Sequence, residues 1–154
     1  MTSIKPPPMP SPEGIPSAMA IMRHMAGQNP VFQFLQIEIL EAERGRARFA
    51  MPVRREVTNT FGNCHGGITF AFADICFGFT ANAARNEKGV SSSAEIHWLA
   101  PGQIGDRLIG EAREIWHEGR NGLYDVTIKN EHTGTVVAIV HGRMRFVGGR
   151  VLDA

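Results

Sequence analysis

The segment Asn59-Thr-Phe-Gly-Asn-Cys-His-Gly-Gly-Ile-Thr-Phe-Ala-Phe-Ala-Asp-Ile-Cys-Phe-Gly-Phe79 places a glycine pair behind His65 and one carboxylate, Asp74, within an otherwise apolar run. A charge in an apolar helix must be hydrogen-bonded, neutralised or used, because burying it unpaired costs on the order of several kcal/mol. The amide of Gly66 falls at the start of the predicted helix. There, N–H groups lack intrahelical partners and the dipole is positive, so a developing oxyanion can be held. Neither Gly66 nor Gly67 has a side chain to keep a ligand from the backbone, although the same pair also makes a tight turn into a helix. Asp74 lies about 12 Å further along that helix at 1.5 Å per residue, too far to act with Gly66 on one carbonyl carbon. Two such helices paired antiparallel in a two-fold dimer would set Asp74 of one against the Gly66 turn of the other. The flanking Phe70, Phe72, Ile75 and Phe77 argue against a merely solvated carboxylate.

The neighbouring residues carry more than one reading. His65 is either a base or a positioning group; helix amides and burial both disfavour imidazolium, which favours positioning. Asn59 has the ordinary use of capping a turn. Cys64 beside His65 suggests a Cys-His nucleophile, but sequence neighbours seldom point at each other and no third orienting group is evident. The remaining histidines, His24, His97, His117, His132 and His141, have no paired spacing suited to zinc, so no metal site is expected.

The elements that must position these groups change period along the chain. Ser17 to Ala26 reads as a short capped helix ended by Gly27 and Pro30. Val31 to Leu40 and Arg46 to Val53 read as strands joined by a turn over Glu41 to Gly45. From Gly66 to about Arg85 the apolar residues run too continuously for a surface helix, which predicts a central buried one. Ser91 to Leu99, Arg107 to His117, Gly122 to Glu131 and Thr135 to Val147 then read as four strands separated by turn signals. Trp98 and Trp116 fall on strands and read as packing residues. One long helix beside an antiparallel sheet that must curl around it is an α+β arrangement. A proline-rich arm over residues 1–16 precedes a single domain over residues 17–150.

At 154 residues the chain can bury a core without disulfides or metal. With 43% hydrophobic and 20% charged residues it has ordinary globular composition, and no uninterrupted apolar stretch approaches a membrane span. A formal charge of +1, with Lys and Arg dispersed, offers no footprint for nucleic acid. Two cysteines and an N-terminus without an apolar leader lead to the expectation of a cytoplasmic protein.

Asn59 six residues before His65, the His65-Gly66-Gly67 turn, Asp74, Leu99-Ala-Pro-Gly102, Gly105-Asp106-Arg-Leu108, Gly119-Arg-Asn-Gly-Leu-Tyr-Asp125 and His141-Gly-Arg143 form an ordered set. With it, residues 31–149 resemble the hotdog-fold thioesterases, specifically the phenylacetic-acid-degradation type of acyl-CoA thioesterase. The resemblance implies a curved sheet around the helix and sites at a protomer interface in a homodimer, with dimers pairing into tetramers. It implies hydrolysis of acyl-CoA thioesters with Gly66 as amide donor to the carbonyl, Asn59 assisting, and the partner's helix carboxylate, Asp74, acting on water or on the carbonyl. A water-orienting strand serine falls at Ser91, within the run Ser91-Ser92-Ser93. Gly67 would lie against substrate. Arg120 and Arg143 read either as contacts to coenzyme A phosphates, because guanidinium grips phosphate in bidentate fashion, or as solvated surface arginines. No further cofactor is implied, since a thioester is already activated. Two other readings stand beside it: a non-catalytic acyl-CoA binding domain, and an enoyl-CoA hydratase, which needs an Asp and His pair not apparent in the sequence.

Overall fold

In the computed structural model, which describes residues 14–153, helix α1 (Ala18–Gly27) opens on Ser17, whose hydroxyl accepts the Ala20 N–H at 3.1 Å. The next segment departs from the sequence expectation. Val31 to Phe34 belong to a second short helix, α2 (Pro30–Phe34). Asn29 caps it through the Phe32 N–H at 2.9 Å and Pro30 supplies a preset φ at the first position, so local capping overrides the β character of Val and Phe. Strands β1 (Glu38–Glu43) and β2 (Arg46–Pro52) follow as a hairpin. The chain reverses over Arg44 and Gly45 alone, with Gly45 at φ 76°, so the strand runs through residues assigned to a longer turn. The expected proline-rich arm lies, through residue 13, outside the described residues.

Helix α3 (Gly66–Arg85) is the long buried helix, and most of one face is the domain core: Phe72, Ala73, Cys76, Phe77 and Thr80 have almost no exposure. By length and composition it could cross a bilayer, but 67% of its apolar window is buried within the domain. Asn86 ends it in the left-handed region at φ 52° and ties back the tail, bonding both the N–H and the C=O of Leu152 at 2.9 and 2.7 Å.

Strands β3 (Glu87–Trp98), β4 (Arg107–Glu118), β5 (Asn121–Asn130) and β6 (Val136–Arg150) complete one six-stranded antiparallel sheet in the order β1-β2-β4-β5-β6-β3, curved over α3 and not closed. Helix and sheet meet closely because two strand positions lack side chains. A Cβ at Gly110 would stand 2.6 Å from Cys76 Sγ, and one at Gly142 would stand 2.6 Å from Phe77 Cζ. At the far end of α3, Arg85 grips Glu114 with both guanidinium nitrogens at 2.5 and 2.7 Å, and Tyr124 donates to the same carboxylate at 2.6 Å.

β3 is an edge strand. It pairs with β6 on one side, and among the described residues no strand pairs with its other side. Its register shifts between Ser91 and Ser93, a bulge that turns Ser91 toward α3 while Glu95 and His97 face outward.

Candidate active site

The loop entering α3 is held at several points before any side chain is considered. Thr58 bridges Cys64, Asn63 bridges Gln103, the Cys64 N–H donates to Gly102 O at 2.6 Å, and the His65 N–H donates to Val57 O at 2.8 Å. Asn59 spends its Oδ1 on the N–H groups of Phe61 and Asn63, at 2.9 and 3.1 Å. It is therefore a turn-capping residue, and that bonding fixes its amide with Nδ2 left over. Asn59, Gly66, Thr69, Trp98, Leu99 and Pro101 line a cavity of about 380 Å³ at the start of α3.

His65 is the N-cap of α3, and its Nδ1 accepts the Gly67 N–H at 2.9 Å. Accepting at Nδ1 places the ring proton on Nε2. Gly67 thus has its amide occupied by a side chain, whereas the Gly66 N–H has no acceptor among the described residues. A free N–H at a helix N-terminus can hold an oxyanion, and here Gly66 and Asn59 line the same cavity.

Asp74 is half-buried eight residues further along α3 and does not line that cavity. Ser91 Oγ donates to Asp74 Oδ1 at 2.6 Å; Ser92, at the bulge, instead bonds the Arg143 carbonyl oxygen at 3.2 Å. The pair stands beside the free edge of β3, with Oδ2 unengaged among the described residues.

Other expected groups lie elsewhere. Arg143 is on the outer face of β6, bonded to Asn121 Oδ1 at 2.9 Å, and Arg120 is exposed in the β4–β5 turn; neither lines the Gly66 cavity. Cys64 is buried, its thiol pushed up by that burial, and it contacts Thr69 Oγ1 at 3.4 Å rather than the imidazole. An Asp-His pair does exist, Asp125 with His141 at 2.6 Å, but it sits on the outer sheet face in a separate concavity with Ser93 and Arg143. Among the described residues no group of three His, Cys, Asp or Glu side chains is placed to hold a metal ion. Trp98, read from sequence as packing, instead lines the cavity, is 55% exposed, and donates its indole N–H to Gly66 O at 3.1 Å. The alternation of apolar Ala94, Ile96 and Trp98 with polar Ser93, Glu95 and His97, which puts Trp98 on the strand's apolar face, was the available signal.

Residues 61–137 match the family model described as the thioesterase superfamily. The chain is 32% identical over 139 residues to the acyl-coenzyme A thioesterase PaaI of Escherichia coli, covering 84% of this chain and 97% of that one. It belongs to the thioesterase superfamily. The solved structure of the E. coli PaaI protein superposes with a TM-score of 0.83 at 29% identity, over 86% of this chain and 95% of the other. A hypothetical thioesterase protein from Streptococcus pneumoniae TIGR4, solved with coenzyme A, superposes with a TM-score of 0.71 at 25% identity, covering 74% of this chain and 90% of that one. The helix wrapped by a curved antiparallel sheet is the hotdog fold of the thioesterase superfamily, and the chain is a thioester hydrolase.

Proposed function

We propose that this chain hydrolyses acyl-CoA thioesters to the free acid and coenzyme A, in sites shared by two protomers. The observation that carries the reading is the Gly66 N–H, without an acceptor among the described residues, at the cavity beside Asn59 and on the same helix as the Ser91-bound Asp74. Within one protomer the two ends stand about 12 Å apart. The free edge of β3 supplies the means of joining them. Antiparallel pairing of two β3 edges about a two-fold axis sets the Ser91 part of one strand toward the Trp98 end of the other, both on the helix side of the sheet.

In such a site the thioester oxygen accepts from Gly66 N–H and Asn59 Nδ2. Two routes then use the same atoms. In one, the partner's Asp74 takes a proton from water as the water oxygen bonds the carbonyl carbon. In the other, an Asp74 oxygen bonds the carbon directly, giving a mixed anhydride that water opens. In both, the C–S bond breaks: in the first route the leaving thiolate takes the proton that Asp74 received from water, and in the second coenzyme A leaves as thiolate and is protonated by the proton that water releases on opening the anhydride. Ser91, whose proton is held by Asp74, accepts from and orients the water. Coenzyme A is substrate and product here. An arylacetyl group such as phenylacetyl or hydroxyphenylacetyl is the favoured acyl class, supported by the likeness to PaaI of the phenylacetic acid degradation operon. A dimer of these dimers is the assembly that the family resemblance favours, and Arg120 and Arg143 remain the candidate phosphate contacts.

Thiol release over aromatic, short and long acyl-CoA substrates tests the reading. The wild-type chain should turn over and favour arylacetyl-CoA. Asp74→Asn should lose about 1000-fold or more in kcat while still binding a non-hydrolysable thioether analogue of the substrate. Near-normal turnover by that variant removes Asp74 from the chemistry. Binding without thiol release from any ester makes the chain an acyl-CoA binding domain.

A further inference from the structure

Two consecutive peptide units carry the glycine pair, and almost every polar group in them is engaged. The unit joining His65 to Gly66 has its carbonyl held by the N–H groups of Ile68 and Thr69, at 2.9 and 3.0 Å. The unit joining Gly66 to Gly67 is held at both ends by side chains: the indole N–H of Trp98 donates to Gly66 O at 3.1 Å, and Nδ1 of His65 accepts the Gly67 N–H at 2.9 Å. Among the described residues one group remains without a partner, the Gly66 N–H. The two rings also fill the space that side chains would take. A Cβ at Gly66 would stand 3.3 Å from Trp98 Nε1, and one at Gly67 would stand 3.2 Å from His65 Nδ1.

A glycine pair at a helix start is the least constrained backbone a chain can offer, and a helix end frays. An oxyanion donor is effective only when it is already aimed. We infer that Trp98 is a positioning residue of the reaction: its indole N–H pins the Gly66–Gly67 peptide against His65 and so aims the Gly66 N–H at the thioester oxygen. The inference rests on the oxyanion role given to Gly66 above. Trp98 comes from the end of β3, thirty-two residues away in sequence, so the sheet adds a second hold to the one the helix already has on the donor's peptide.

Trp98→Phe keeps an aromatic ring and removes the donor. It should lower kcat about tenfold, since small misplacement of a reacting group costs up to about 100-fold, with KM and thioether-analogue binding within about twofold of wild type. Trp116→Phe, at the other exposed indole on β4, should leave both unchanged. Amide hydrogen exchange at Gly67, read on the substrate-free protein, should speed up about tenfold in Trp98→Phe. A kcat within twofold of wild type overturns the inference. So does a loss of kcat with Gly67 exchange unchanged, which would make the indole a substrate contact only. Because exchange needs no turnover, it reports on the clamp even if no CoA ester is hydrolysed.

Discussion

Asp74 and Ser91 show how one residue's role depends on a neighbour supplied by another element. Ser91→Ala removes the 2.6 Å hydrogen bond to Asp74 and should cut kcat about 10- to 100-fold with KM little changed, measured as thiol release at saturating substrate. Cys64→Ala should stay within about threefold of wild-type kcat, because burial holds that thiol protonated and His65 faces Gly67 instead. At this scale the sequence displays its backbone chemistry well: a glycine pair at a helix start and a lone acid among phenylalanines are visible from residue types alone. Which serine of Ser91 to Ser93 reaches Asp74 is not visible, because a bulge shifts the alternation within the run. Nor is the use of Trp98, since an indole N–H finds Gly66 O only when β3 and α3 are packed together.

The elements themselves were legible where their period was sustained. Helix α3 occupies the expected Gly66 to Arg85, and the last four strands fall where the turn signals separate them. α2 was not legible because five residues are too few for periodicity, leaving Asn29-Pro30 as its one signal. Close contact between α3 and the sheet also has no local signature, although His141-Gly-Arg143 carries the glycine that permits it. Gly142→Ala pushes a methyl into the Phe77 ring, 2.6 Å away, and should lower unfolding stability by about 1–3 kcal/mol, measured as the denaturant midpoint.

Across the molecule, contacts between distant segments set acid tolerance. Burial opposes the charge on Glu114, but hydrogen bonds from Arg85 and Tyr124 overcome it and hold the carboxyl below its ordinary value. The folded state therefore gains stability from that charge above the ordinary carboxylate range and loses it as pH falls through the depressed value. Glu114→Gln should destabilise by about 3 kcal/mol at neutral pH and flatten the fall in Tm as pH drops below the ordinary carboxylate range. The proposed sharing of sites between two protomers makes a separate prediction. Asp74→Asn and Asn59→Ala chains, each inactive alone, should recover about a quarter of wild-type activity when co-assembled at random, because half the dimers then hold one intact site of two. Sites built within single protomers would recover none. The proposed oxyanion donor and the acid also share one uninterrupted helical rod, Gly66 at its tip and Asp74 two turns in. Inserting a single amino acid between them would swing the acid by about 100° and push it 1.5 Å along the axis. Spacing along this rod is thus a quantised dimension, one that natural variation can leave alone or break but cannot fine-tune.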